Sequence, residues 1–195
     1  MAGGGQPRVE EVRFPSGDGF CVGELHLPPV PRTRTASPPA PSGPRSGAGD
    51  RGPAADPKSA DPAPFPALAM APGIGAERAF GFAAYARRFA AMGIAALLFD
   101  YRHHGGSPGT PRRLVSPERQ KEDYRAALAF LRGDPRVDAN RLGLWGTSFS
   151  GGHVLSVGAE DPPGVRCIVS QVPFVSGVSS TLAYPLRYHL RAIAL

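Results

Sequence analysis

Apolar and polar side chains alternate along Val9 to Phe14 and again along Phe20 to Leu27. This is the period-two pattern of strands with one face toward a core and one toward water. Pro15-Ser16-Gly17-Asp18-Gly19 joins them, so the two runs predict an antiparallel hairpin at the edge of a sheet. Beyond Pro66 the pattern changes to continuous apolar runs at Ala67 to Ala71, Ile94 to Phe99, around Leu142, Leu144 and Trp145, and at Val165 to Val175. Strands covered on both faces need such runs. Helical spacing separates them. Glu77 to Met92 places Phe82, Tyr85, Ala86 and Phe89 on one face and turns Arg87 and Arg88 away. Ser116-Pro117-Glu118 supplies an N-cap and a first-turn proline for a helix to about Leu131, with Tyr124, Ala127, Leu128 and Leu131 as its buried stripe. A further helix runs from Ser150 to about Gly158, and Leu182 to Leu195 is apolar at helical spacing. The alternation predicts an α/β fold, a doubly wound and mostly parallel sheet with helices on both faces and an N-terminal antiparallel hairpin.

Composition changes one part of this picture. The 195 residues include 23 Pro and 25 Gly, and 11 of the prolines fall in residues 29–66, where Val30 and Phe65 are almost the only large apolar side chains. A segment with so little to bury does not offset its ordering entropy, and the expectation is a disordered insertion. The Pro38-Pro39-Ala40-Pro41 spacing matches ligands of aromatic grooves, but a tract this rich in proline produces such spacings by chance. The expected organisation is a hairpin over 1–28, the insertion over 29–66, an α/β core over 67–176 and the start of a lid helix over 177–195.

The net charge is +6, and 20 of the 22 basic residues are Arg. They stand in ones and twos, with no basic stripe interleaved with aromatics, so a solvated surface rather than a nucleic-acid partner is expected. Cys21 and Cys167 sit inside apolar runs as core fillers, and no metal-ligand spacing occurs, so neither metal nor cofactor is expected. No signal-peptide core or span-length apolar stretch is present, which predicts a soluble cytoplasmic protein without membrane contact.

The chemistry gathers at Leu142 to His153, read Leu-Gly-Leu-Trp-Gly-Thr-Ser-Phe-Ser-Gly-Gly-His. A short strand, a tight turn and a helix start place Ser148 at the bend, with the small residues Gly146, Ser150 and Gly151 around it. A serine exposed on a sharp strand-to-helix turn needs small neighbours two positions away on each side. The common pattern has Gly where Ser150 stands. A phosphate-binding helix start is the alternative, but dinucleotide fingerprints follow the first strand of a sheet and this motif follows several. After the strand at Ala67, Ala71-Pro72-Gly73-Ile74-Gly75 brings backbone N–H groups to the same sheet edge, so Ile74 and Phe149 are the expected oxyanion-hole donors. The turn Asp100 to Ser107 is expected to support that loop, and paired ligation of a metal by His103 and His104 is disfavoured because adjacent side chains diverge.

These motifs resemble the α/β-hydrolase superfamily, and among its members those like dienelactone hydrolase, X-Pro dipeptidyl-peptidase and serine aminopeptidase. The resemblance rests on Pro72-Gly73, on the Asp-Tyr-Arg-x-x-Gly-x-Ser loop from Asp100 to Ser107, and on the Trp-Gly-x-Ser-x-Ser-Gly-Gly elbow from Trp145 to Gly152. It covers the chain from about Val9 onward, the insertion excepted, and Pro72 stands where many members have His. It implies a serine hydrolase in which Ser148 attacks a small ester, thioester or peptide-like amide and Ile74 and Phe149 stabilise the oxyanion.

The order Ser, acid, His leaves Glu160 or Asp161 and then His189 after Ser148. A helix rising about 1.5 Å per residue carries both carboxylates roughly 15 Å from the elbow, so they do not fit the role of catalytic acid. His153 is expected to be a packed structural residue, and His189 to line a pocket from the lid. The expectation is therefore a truncated hydrolase whose catalytic acid and histidine are missing from the 195 residues. An exposed lid helix would be its dimer contact, and an inactive binding module is the alternative function.

Overall fold

The computed structural model describes residues 7–29 and 64–182. Within them β1 (Arg8–Ser16) and β2 (Gly19–Leu27) form the expected hairpin, with Phe14 opposite Cys21 and Gly17 in the left-handed region at φ 52° to close the turn. Four strands follow: β3 (Phe65–Ala71), β4 (Ala95–Asp100), β5 (Val137–Thr147) and β6 (Val165–Gln171). The sheet order is β1-β2-β4-β3-β5-β6, antiparallel at β1–β2 and β2–β4 and parallel through the rest. Residues 30–63 of the proline-rich insertion lie outside the described residues, and its last two residues, Phe65 and Pro66, open β3.

Period two explains how such short strands fill two cores. On β3 and β4, Ala67, Ala69, Ala71, Ala95, Leu97 and Phe99 face one side, while Leu68, Met70, Ala96 and Leu98 face the other. The helix α2 (Pro117–Gly133) covers the first side with Tyr124, Ala127, Leu128 and Leu131, joined by Val154 and Val157 of α3 (Phe149–Gly158). The helix α1 (Ala83–Ala91) covers the second with Ala86, flanked by Phe82 and Phe89. Each Leu or Phe removed from water here contributes roughly 2–3 kcal/mol. Ser116 caps α2 by accepting the Arg119 N–H, and Pro117 sits in its first turn, as the sequence predicts.

Four expectations need correction, the first being that Cys167, expected as a core filler like the buried Cys21, is exposed on β6. The hairpin was expected at the sheet edge with one wet face, but only β1 is an edge strand, and β2 lies between β1 and β4 with both faces largely buried. Its second face is covered by α1 and by Arg78 from the loop after β3, a tertiary contact that alternation does not reveal. The helix expected from Glu77 begins only at Ala83, because the chain turns at Glu77–Phe80 and Gly81 takes φ 91°. The strand expected to reach Val175 ends at Gln171, where Val172 turns to φ 40° ahead of Pro173.

Strand β6 is the other edge among the described residues, with Ile168 and Val169 exposed. A short helix, α4 (Gly177–Leu182), follows it. Residues 183–195, which include His189 and most of the expected lid, lie outside the described residues. No helix among the described residues is long and apolar enough to cross a membrane, and no His, Cys, Asp and Glu cluster suited to a metal ion occurs among them.

Candidate active site

The end of β5 delivers Ser148 to the carboxyl edge of the parallel strands, where open α/β sheets keep their reactive groups. Ser148 holds φ 55° and ψ −117°, a conformation that a residue with a Cβ rarely takes and that costs about 1–3 kcal/mol. Three hydrogen bonds hold it there: the Ser148 N–H donates to the Gln171 carbonyl at 2.9 Å, and its carbonyl accepts from Phe174 at 2.8 Å and Gly152 at 3.3 Å. The turn is so tight that a Cβ on Gly146 would collide with the Ser150 backbone carbonyl, which is why only glycine serves there. Ser150 and Gly151 are buried immediately behind the serine.

The loop after β3 closes on the same point. A Cβ placed on Gly73 would lie 3.1 Å from the Ser148 Cβ and 3.7 Å from its Oγ, so Pro72-Gly73 passes directly over the serine. Ile74 follows, 58% exposed. Neither its N–H nor that of Phe149, the first residue of α3, donates to a backbone acceptor among the described residues. The first N–H groups of a helix have no intrahelical partner, which leaves the Phe149 donor free.

Asp100 anchors this loop from below, in the supporting role its place in the sequence suggests. Its buried carboxylate accepts the Arg78 N–H at 2.8 Å, the Arg78 Nε at 3.1 Å and the Gly106 N–H at 3.0 Å. Ser107 completes the turn, its hydroxyl donating to the Asp100 carbonyl and accepting the Val22 N–H. Arg102 turns inward to Asp123, with Glu122 and Asp18 at its outer nitrogens. Arg78, Gln120 and Asp123 were not read from the sequence. Gln120 and Asp123 had a signal, since both extend the buried stripe of α2 at three- and four-residue spacing; Arg78 had none.

Among the described residues no histidine or carboxylate hydrogen-bonds the Ser148 hydroxyl, and each histidine is held elsewhere. His26 pairs with Glu24, His103 Nδ1 meets the Pro111 carbonyl, and His104 Nε2 meets that of Leu114. Glu160 forms a two-point ion pair with Arg125 on the surface. His153 is the structural residue expected: 5% exposed, its Nε2 bonded to the Gln120 Oε1 at 2.8 Å, its ring 4.6 Å from that of Phe149.

Burial, with Lys121 adding and Glu118 opposing, pulls the His153 imidazole down from 6.5 to about 4. Between those values the unfolded chain binds a proton that the folded chain refuses, so stability is full above pH 6.5 and falls as the pH drops toward 4. At 1.36 kcal/mol per pKa unit the loss is about 3 kcal/mol. Denaturation of the parent and His153→Gln at pH 7 and pH 4 should show their stability difference shifting by about that amount in favour of the variant; two parallel pH curves would disprove it.

Comparison with known proteins agrees with this architecture. The chain is 46% identical over 118 residues to the quorum-quenching protein AidA of Acinetobacter baumannii, covering 60% of this chain and 38% of that protein. It is 43% identical over 110 residues to the thiohydrolase aneE of Aspergillus aculeatus, covering 56% of this chain and 34% of the relative. The chain thus spans little more than a third of the length of these relatives. Among solved structures, a hypothetical protein of Pseudomonas aeruginosa matches with a TM-score of 0.67 and 24% identity, over 89% of this chain and 45% of that one. The α/β hydrolase GrgF of Penicillium sp. sh18 matches at 0.66 and 23% identity, over 95% and 54%. At such identities they share the fold. The family profile described as X-Pro dipeptidyl-peptidase (S15 family) matches residues 52–190. With the α/β-hydrolase fold and a family match over well more than half its length, the chain belongs to the X-Pro dipeptidyl-peptidase (S15) family.

Proposed function

We propose that the protein hydrolyses an ester, thioester or amide through an acyl-enzyme on Ser148. The observation that carries this reading is the φ of 55° at Ser148, strain held in place on a turn that projects the side chain beneath Gly73. In the first half-reaction Oγ bonds to the substrate carbonyl carbon and its proton passes to a base. Charge then gathers on the carbonyl oxygen, where the N–H groups of Ile74 and Phe149 receive it. Collapse of this intermediate breaks the bond to the leaving group, which departs with the proton, and water releases the acid by the same route. Among the described residues no histidine or carboxylate hydrogen-bonds the Ser148 hydroxyl to act as that base.

Ile74, Phe174 and Val172 expose large apolar side chains beside the elbow, a surface that favours an apolar acyl group. The similarity to a protein named a thiohydrolase supports the thioester among the proposed substrates. A second reading, an inactive binding module, is favoured by the engagement of every described histidine elsewhere. Treatment with a fluorophosphonate followed by peptide mass mapping separates the two. The hydrolase gives a stoichiometric adduct on the Ser148 peptide, and an unmodified protein sinks the hydrolase reading and leaves the binding module.

A further inference from the structure

Ser150 occupies the position where the common elbow pattern has glycine, and its hydroxyl is fully buried. That hydroxyl accepts the Thr147 N–H at 2.8 Å and faces the Ala71 carbonyl at 2.8 Å, with the Thr147 carbonyl as a second acceptor at 3.0 Å. Thr147 precedes the nucleophile; Ala71 ends β3 and leads directly into Pro72-Gly73-Ile74. The two strand ends are already in register, Ala71 opposite Gly146. One side chain therefore bridges the segments that carry the Ile74 and Phe149 N–H groups. A glycine would leave the Thr147 N–H and the Ala71 carbonyl without that bridge.

We propose that Ser150 is a positioning residue whose hydroxyl sets the spacing of the two oxyanion donors. The proposal rests on the reading of Ser148 as the acylated nucleophile. Donors stabilise a developing oxyanion when they lie about 2.7–3.1 Å from the position it will occupy, so a small change in spacing acts on the rate of acylation more than on binding. A purely structural role would instead lower the fraction of folded protein.

The rate and the final stoichiometry of fluorophosphonate labelling separate these effects. Both are measured on the parent, on Ser150→Gly, which restores the common pattern, and on Ser150→Ala, with thermal melting confirming that each variant is folded. The expected result is labelling slowed about tenfold or more in both variants, with an unchanged end point. An unchanged rate, whatever the end point, overturns the positioning role while leaving Ser148 as nucleophile. Absence of labelling in the parent overturns the nucleophile reading and this proposal with it.

Discussion

Ser148→Ala is expected to remove the fluorophosphonate adduct and to lower turnover of p-nitrophenyl acyl esters by a factor on the order of 10³ or more. The effect is large because the acyl-enzyme route has no substitute nucleophile at the elbow: Thr147 and Phe149 flank the position, and the Ser150 hydroxyl is buried in its own hydrogen bonds. Stability should not fall with activity. Alanine keeps the Cβ and with it the strain, whereas Ser148→Gly releases about 1–3 kcal/mol of strain against about 0.4–1 kcal/mol of added freedom in the unfolded chain. Ser148→Gly is thus expected to melt higher than the parent while being equally inactive. Ser148-independent turnover of the same esters would exclude the proposed chemistry, and a glycine variant that melts well below the parent would contradict the strain.

Asp123→Ala is expected to destabilise the fold by about 3–5 kcal/mol, a fall in melting temperature of roughly 10 °C or more. Asp123 is fully buried and accepts from the Ser16 hydroxyl at 2.6 Å, the Arg102 Nε at 2.6 Å and the Arg102 N–H at 3.1 Å. One carboxylate thereby ties the hairpin turn, the end of β4 and the middle of α2. Its removal strands a guanidinium whose side chain is 3% exposed, with the partly exposed Asp18 and Glu122 as its remaining charged partners. These solvent-exposed carboxylates do not replace a buried acceptor. Asp123→Asn, which keeps an acceptor oxygen, should lose less. A loss below about 1 kcal/mol in Asp123→Ala, measured by chemical denaturation, would show that the outer carboxylates suffice.

The sequence alone determined most of the elements and the strand-turn-helix that carries Ser148. Continuous apolar runs of strand length fit strands covered on both faces, and the runs ending at Ala71, Phe99 and Trp145 became β3, β4 and β5 of a sheet with helices on each side, whereas the run from Val165 became the exposed edge strand β6. The elbow was equally legible, because a turn as tight as Gly146–Ser150 demands small residues at its two ends and so leaves its mark in composition. Tertiary structure decided what depends on contacts far apart in the chain. Whether β2 was an edge strand turned on β4 pairing beside it and on Arg78 crossing its face. The late start of α1 followed from Asp100 holding Arg78 in a turn, since helical periodicity at Phe82, Tyr85 and Phe89 says nothing of what precedes it. Buried charge was hidden for the same reason: Asp123 reads as one more polar residue on a helix until Ser16 and Arg102 arrive from 107 and 21 residues away to satisfy it. A local pattern records which side chains must leave water, and only the folded chain supplies the distant partners that let a polar one leave with them.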